Sequence, residues 1–367
     1  MQVLQIHAGP AALRLLRERR LVPEDVAVIP GAAGGPKGLV LGPLDRYLFG
    51  QWLAGSSHTV HLLGASIGAW RLATACLADP VDGFRQLTES YVNQRYHHEP
   101  GRAPKAAHVS AIFGGELDRL LGASVAQILA HPRYRLHVFT SRGRHLLGRQ
   151  GSLRTPLGYL GAYATNALSR KAMGGWLERV IFSDPREPLP LQVQDFRTRI
   201  VGLDAQNFRA SLLASCSIPF WLDAVHDIPG APRGAYWDGG ITDYHLHLDY
   251  ASMRGGNRDG VELPRGIVLY PHFQPNMVPG WLDKALRHRH RATAMLDNVV
   301  VISPHPQWIA TLPNGKLPDR TDLQRHGADV EGRARVWRLA VAESERLAET
   351  FANWLDGRTD LPLQPLR

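Results

Sequence analysis

Cysteine is nearly absent from this 367-residue chain, which contains only Cys76 and Cys216. Two thiols so far apart provide neither a disulfide framework nor a zinc-site spacing, so a reducing compartment, the cytoplasm, is expected. Lysine is scarce too: only Lys37, Lys105, Lys171, Lys284 and Lys316 occur, and the net charge of +9 rests on arginine. No run of five basic residues and no nucleic-acid-binding motif is present, so no nucleic-acid partner is expected. The same charge leaves weak attraction to an anionic membrane surface open. Long apolar runs are also missing. The longest uncharged stretch, about Leu48 to Trp70, is broken by Gly, Ser and His and does not read as a spanning helix. Met1 to Arg20 lacks the basic start and apolar run of a signal peptide, and Arg14, Arg17, Arg19 and Arg20 crowd its end.

What remains is a chain with 44% hydrophobic and 20% charged residues, a balance that folds into a globular core rather than staying disordered. Short apolar runs rich in β-branched residues recur at Val26–Ile29, Thr59–Leu63, Leu136–Phe139, Arg199–Leu203, Gly266–Tyr270 and Val299–Ile302. Helical periodicity appears at Leu39–Phe49, Ile67–Leu77, Val81–Tyr96, Leu117–Leu129, Ala172–Val180, Phe208–Ser215 and Arg333–Leu355. Strands alternating with helices predict a three-layer α/β/α fold around a mainly parallel sheet, with residues 1–367 as one domain. In the last helix, an apolar stripe of Val336, Leu339, Ala340, Leu347, Phe351 and Trp354 opposes Arg and Glu, the pattern of an amphipathic helix packed on a core. Pro and Gly gather at Glu99–Pro104, Ser183–Pro190 and Ile228–Gly234, so residues 97–190 read either as a cap or insert over a site or as extra surface helices.

Three segments carry chemistry. The run ending at Leu63 enters Gly64-Ala65-Ser66-Ile67-Gly68 and then a helical sequence. A serine on a sharp strand-to-helix turn stands clear of the sheet and faces the positive end of the following helix, and small residues such as Gly64 and Gly68 let strand and helix approach. Upstream, Val26–Ile29 leads into Pro30-Gly31-Ala32-Ala33-Gly34-Gly35-Pro36-Lys37-Gly38. A Gly-rich loop before a helix converges backbone N–H groups on one anion or oxyanion. The spacing fails both the Walker A and the dinucleotide patterns, so an oxyanion loop is the better account. Third comes Tyr236-Trp237-Asp238-Gly239-Gly240. Alone, an Asp followed by two glycines is a turn signal; within reach of a serine and partly desolvated, it is a general base.

In this order the three segments resemble the patatin-like phospholipase family, a bacterial-type patatin-like acyl hydrolase. Ala33-Gly34-Gly35-Pro36-Lys37-Gly38 is similar to the family's oxyanion block, Gly64-Ala65-Ser66-Ile67-Gly68 to its nucleophile elbow, and Asp238-Gly239-Gly240 to its proton-acceptor block. Ala214-Ser215-Cys216-Ser217-Ile218-Pro219 approximates a further family segment. The resemblance covers Val26 to Gly240 and implies a Ser66–Asp238 catalytic dyad with Gly34, Gly35, Lys37 and Gly38 as oxyanion loop. It also implies cleavage of carboxylic esters in phospholipids or other acyl esters, without a metal or organic cofactor. Two departures stand out: Ala33 occupies the place of the block's usual first Gly, which matters if that position needs positive φ, and Ser217 replaces an Ala.

Competing readings exist. With 17 histidines, a Ser-His-Asp triad using His245, His247, His272, His288, His290, His305 or His326 is conceivable, but the Gly-rich loop combined with Asp-Gly-Gly resembles dyad enzymes that need no His. If Asp243–Asp249 is a strand, Asp243, His245, His247 and Asp249 share a face that could bind a metal; no further ligand is indicated. An acyltransferase using the same acyl-enzyme, or a catalytically weak lipid-binding module, are the alternatives in function.

Overall fold

The computed structural model describes residues 1–96, 104–253, 257–258, 261–262 and 266–367. The strands are β1 (Leu4–Ala8), β2 (Val26–Gly31), β3 (Val60–Ala65), β4 (Tyr134–Gly143), β5 (Leu177–Ser183), β6 (Thr198–Gly202), β7 (Val225–His226), β8 (Ala235–Trp237), β9 (Asn257–Arg258), β10 (Val261–Glu262), β11 (Ile267–Pro271), β12 (Val299–Pro304) and β13 (Leu363–Pro365). All but β9 and β10, which pair with each other, join one 11-stranded sheet whose main path runs β13-β1-β12-β11-β2-β3-β4-β5-β6, with β8 also paired to β4 and β7 to β8. From β12 through β11, β2 and β3 to β4 the pairing is parallel, whereas β1 and β5 run antiparallel to β12 and β4. The protein is therefore an α/β fold with a mostly parallel central sheet flanked by helices. Among the described residues no helix is long and apolar enough to cross a membrane.

All six apolar runs become strands. Every residue of β3, β11 and β12 is buried, as expected of parallel strands covered on both faces. Exposure returns on the edge strands β6 and β13. The expected helix Ala172–Val180 does not form: a short turn, Arg170–Met173, is followed by β5. Leu177, Val180 and Ile181 mimic a helical stripe, but Glu178 and Arg179 are buried between them, neutralised by Arg142 and by Asp195 and Asp243. Apolar spacing cannot reveal charged strand residues that are buried through ion pairs.

Two further expectations change. Leu117–Leu129 is not one helix; helix Ala106–Leu121 is separated from Val125–Leu129 by a turn at Gly122–Ser124. The C-terminal helix is broken at Ser344 into Val330–Glu343 and Glu345–Leu355. In the second half Leu347, Phe351 and Trp354 are buried as the stripe requires. In the first half the buried face is Arg333, Ala334, Trp337 and Ala340, and Leu339 is exposed. Arg333 lies over the Trp337 ring, and Trp337 Nε1 donates to Asp322 (2.9 Å), so a cation and an indole N–H turn the helix away from its expected stripe.

Residues 97–190 are not a single insert, because β4 and β5 are internal strands of the main sheet. The loop expected at Glu99–Pro104 lies outside the described residues except for Pro104.

Candidate active site

The site is assembled by two strands that share one edge of β4. β5 pairs with β4 from His137 to Gly143 and occupies one edge. On the other, β3 pairs with Tyr134–Phe139, and where β3 stops β8 pairs antiparallel with Ser141 and Arg142. β3 and β8 therefore run toward each other along the same edge, and the first residue beyond each is Ser66 and Asp238. Their side chains meet: Ser66 Oγ donates to Asp238 Oδ2 at 2.7 Å.

Ser66 sits at φ 56°, ψ −131°, a region that side-chain-bearing residues avoid and that costs about 1–3 kcal/mol. The strain is held by its surroundings. Helix Ile67–Ala75 is buried along its whole length, and its N-terminus begins at the serine. A Cβ on Gly68 would overlap the Gly31 carbonyl, and one on Gly64 would overlap Ala69, so both glycines are fixed by close approach of β2, β3 and the helix. Ser215 clamps the elbow, accepting from the Ser66 N–H (2.9 Å) while its own hydroxyl donates to Phe139 O (2.7 Å).

The same segment holds Asp238. Its N–H donates to Ser217 O (2.9 Å), and Gly239 N–H donates to Ser215 O (3.0 Å). Ser217, which departs from the resembled block, thus contributes through its backbone carbonyl, and its hydroxyl is occupied by Leu213 O. Gly239 allows contact with the Phe139 carbonyl, and Gly240 both packs on the Ala33 methyl and donates its N–H to Asp238 Oδ1 (2.7 Å). Asp238 is 6% exposed and Ser66 4%. Burial raises the Asp238 carboxyl to about 6, against the opposing effects of the Ser66 hydroxyl, Arg320, the Gly240 N–H and Lys284.

The Gly-rich loop leaves β2 at Gly31, which pairs with Gly64, so loop and elbow start side by side at the same end of the sheet. Ala33 N–H is bonded to Tyr244 O (2.9 Å). Positive φ falls on Gly35 (56°) rather than Ala33, so an alanine at 33 is compatible with the loop. A Cβ on Gly34 would overlap the Phe273 ring. Neither the Gly34 nor the Gly35 N–H donates to another backbone or side chain among the described residues. A turn of 3-10 helix, Gly35–Leu41, then carries Lys37 and Gly38. Gly38 is packed at ordinary contact distance from Ile67 and has room for a Cβ.

Ser66, Asp238, Ala33, Gly34, Lys37 and Gly240 line an open cleft. Sequence reasoning missed its other walls: Tyr244, Trp281, Lys284 and the Asp319–Thr321 turn. Lys37 Nζ lies over Phe273, and Lys284 Nζ over Tyr244 at 4.0 Å. Arg320 Nε is 3.5 Å from where a Gly35 Cβ would be. Although Lys284 reaches solvent through the cleft, desolvation by the cleft walls, with repulsion from Arg320 and Lys37, lowers its ammonium to about 8. No motif marks Lys284 or Arg320, which come from loops far downstream of Asp238. A second, narrow apolar recess adjoins the cleft through Ile218 and Arg320 and is walled by Tyr91, Phe113, Trp221 and Trp337.

The histidine and metal alternatives are not supported by the geometry. Among the described residues that line the cleft there is no histidine. Asp243–Asp249 is not a strand; a helical turn, Gly240–Asp243, gives way to irregular chain with Leu246 at φ 43°. Asp243 is paired to Arg179, His245 Nδ1 contacts Asn276 O and Val278 N–H, and His247 Nε2 contacts Thr293. Among the described residues no three His, Cys, Asp or Glu side chains converge as a metal site requires.

No protein-family model matches the chain, and a search of curated proteins finds no significant relative.

Proposed function

We propose that the protein is a serine acyl hydrolase of the patatin-like type, cleaving carboxylic esters of phospholipids or similar acyl lipids. The observation that carries this reading is the 2.7 Å hydrogen bond from Ser66 Oγ to a buried Asp238 carboxylate at the floor of an open cleft. Asp238 Oδ2 takes the hydroxyl proton as Oγ attacks the ester carbonyl, and the free N–H groups of Gly34 and Gly35, next to Lys37, receive the developing oxyanion. Collapse expels the alkoxide, which leaves as the alcohol with the proton from Asp238. Water then attacks the acyl-enzyme, giving its proton to Asp238; the acid departs and Oγ regains the proton. The raised Asp238 supports the base role, because a carboxyl near 6 is both ionised at neutral pH and a better acceptor than an ordinary one. The apolar lining of the recess suits the part of an acyl chain nearest the ester, and Lys284 and Arg320 suit an anionic group on the substrate.

A fluorophosphonate should label the protein at Ser66 and nowhere else, read by mass spectrometry of the digested adduct, and Ser66→Ala should abolish labelling and the hydrolysis of a short-chain activated ester. Folded protein that resists labelling would overturn the reading.

A further inference from the structure

Helix Arg154–Leu168 carries leucines on its outward face. Its buried face consists of Thr155, Gly158, Tyr159, Ala162 and Asn166, with Asn166 Nδ2 donating to the buried Asp283 (2.8 Å). Its outward face is apolar: Leu153, just before the helix, is 76% exposed, Leu157 55%, Leu160 64% and Leu168 86%. A helix at the surface of a water-soluble fold ordinarily shows the reverse pattern, and exposed apolar residues scattered singly would need no explanation, whereas this is a stripe.

Two further observations identify what covers it. First, the charge that flanks the stripe in the sequence has one sign. Between Asp118 and Glu178 the sequence contains no Asp or Glu. Arg149 and Arg154 at one end of the helix and Lys171 at the other are exposed, and none forms an ion pair with a described residue. Second, the helix that bears the stripe packs beside the candidate active site. Tyr159, on the inner side of the helix, packs edge-on against Trp237 (5.9 Å), the neighbour of Asp238, and lies 6.1 Å from the Phe220 ring. Phe220 and Trp221 are exposed and follow directly on Ile218 and Pro219, which line the cleft.

We infer that the exposed face of helix Arg154–Leu168, with Phe220 and Trp221 beside it, docks on an anionic lipid bilayer. Leucines with cations at both ends match the interfacial arrangement in which apolar side chains enter the acyl boundary and basic ones reach headgroup phosphates. The docking surface stands on exposure and charge alone; that it delivers substrate to Ser66 rests on the hydrolase reading.

The test uses the full chain carrying Ser66→Ala, so that lipid is not consumed, and sedimentation with vesicles of phosphatidylcholine alone or mixed with phosphatidylglycerol. Binding is expected to the anionic vesicles, to weaken about tenfold or more on Leu157→Ser/Leu160→Ser, and to weaken in high salt and on Arg154→Gln/Lys171→Gln. With Ser66 intact, Leu157→Ser/Leu160→Ser should leave turnover of a soluble short-chain ester unchanged, which also reports folding. Absence of vesicle binding overturns the inference, as does binding that the leucine variant retains. A dimer in light scattering that the leucine variant dissociates also overturns it, since the face would then belong to a second copy. Vesicle binding needs no turnover, so its outcome is independent of whether Ser66 hydrolyses esters.

Discussion

Asp238 and Asp243 are five residues apart, both buried, and differently served. Asp243 receives two charge-assisted bonds from the fully buried Arg179 (2.6 and 2.7 Å), which also binds Asp195. Asp238 has one hydroxyl and one backbone N–H, and its nearest cations, Arg320 and Lys284, act across the cleft without touching it. One carboxylate is neutralised on the spot and cements β5 to the turn after β8. The other is buried without a paired cation, and in the proposed mechanism that deficit is what makes it a base. Burial alone therefore does not identify a reactive carboxylate; burial without an ion pair, facing a hydroxyl and an open cleft, does.

The sharpest way to break the comparison is to make the same substitution at both sites. Asp238→Asn should lower turnover of an activated ester by on the order of 10²–10⁴-fold, the usual contribution of a general base. It should also stabilise the fold. A folded-state carboxyl at about 6, above the unfolded value near 3.9, gives stability that is complete at acid pH and lost as pH rises through 6, so at neutral pH the penalty is in force. Removing the charge recovers up to about 2–3 kcal/mol, visible as a higher melting temperature above pH 6 and little change below pH 4. Asp243→Asn should do the opposite. It leaves Arg179 with half its compensation and costs on the order of 3 kcal/mol in urea unfolding, while the protein that remains folded keeps its turnover. If both variants fall on the same side of wild type in stability, the distinction between the two carboxylates fails.

How much of this was legible beforehand follows from the kind of signal each feature leaves. The strands β2 and β3 announce themselves as apolar runs, and the Gly-rich loop and the elbow follow each directly, so their adjacency follows from parallel pairing of consecutive strands. Asp238 is another matter. It lies 172 residues from Ser66, after a three-residue strand too short for any pattern, and it reaches the serine only because β8 completes the edge of β4 that β3 leaves vacant. Resemblance to a motif family suggested the pairing; composition and periodicity did not. Ser215 lies in a segment that resembles the family, but its role exists only in three dimensions, where its hydroxyl bridges the Ser66 N–H and Phe139 O. β5 hides from apolar periodicity because Glu178 and Arg179 are buried by ion pairs, and helix Arg154–Leu168, apolar on its outward face, carries no clear periodicity.

The pH profile sharpens the comparison without touching either carboxylate. Turnover of a neutral ester should rise with pH through an apparent value of about 6, as Asp238 ionises.

Arg320 supplies the smallest and most discriminating effect. Its guanidinium is among the influences that hold Asp238 down, so Arg320→Gln should move the acid limb of the profile to higher pH, above 6. The same residue approaches Gly35 in the Gly-rich loop and lines both the cleft and the apolar recess, so its loss should also lower turnover, by about tenfold if its charge assists the oxyanion. A merely structural Arg320 would lower activity uniformly across pH. A shift of the limb, measured on a neutral ester so that substrate charge plays no part, requires that the arginine act on Asp238 through space, as a distant cation can act on a carboxylate that has no ion pair of its own.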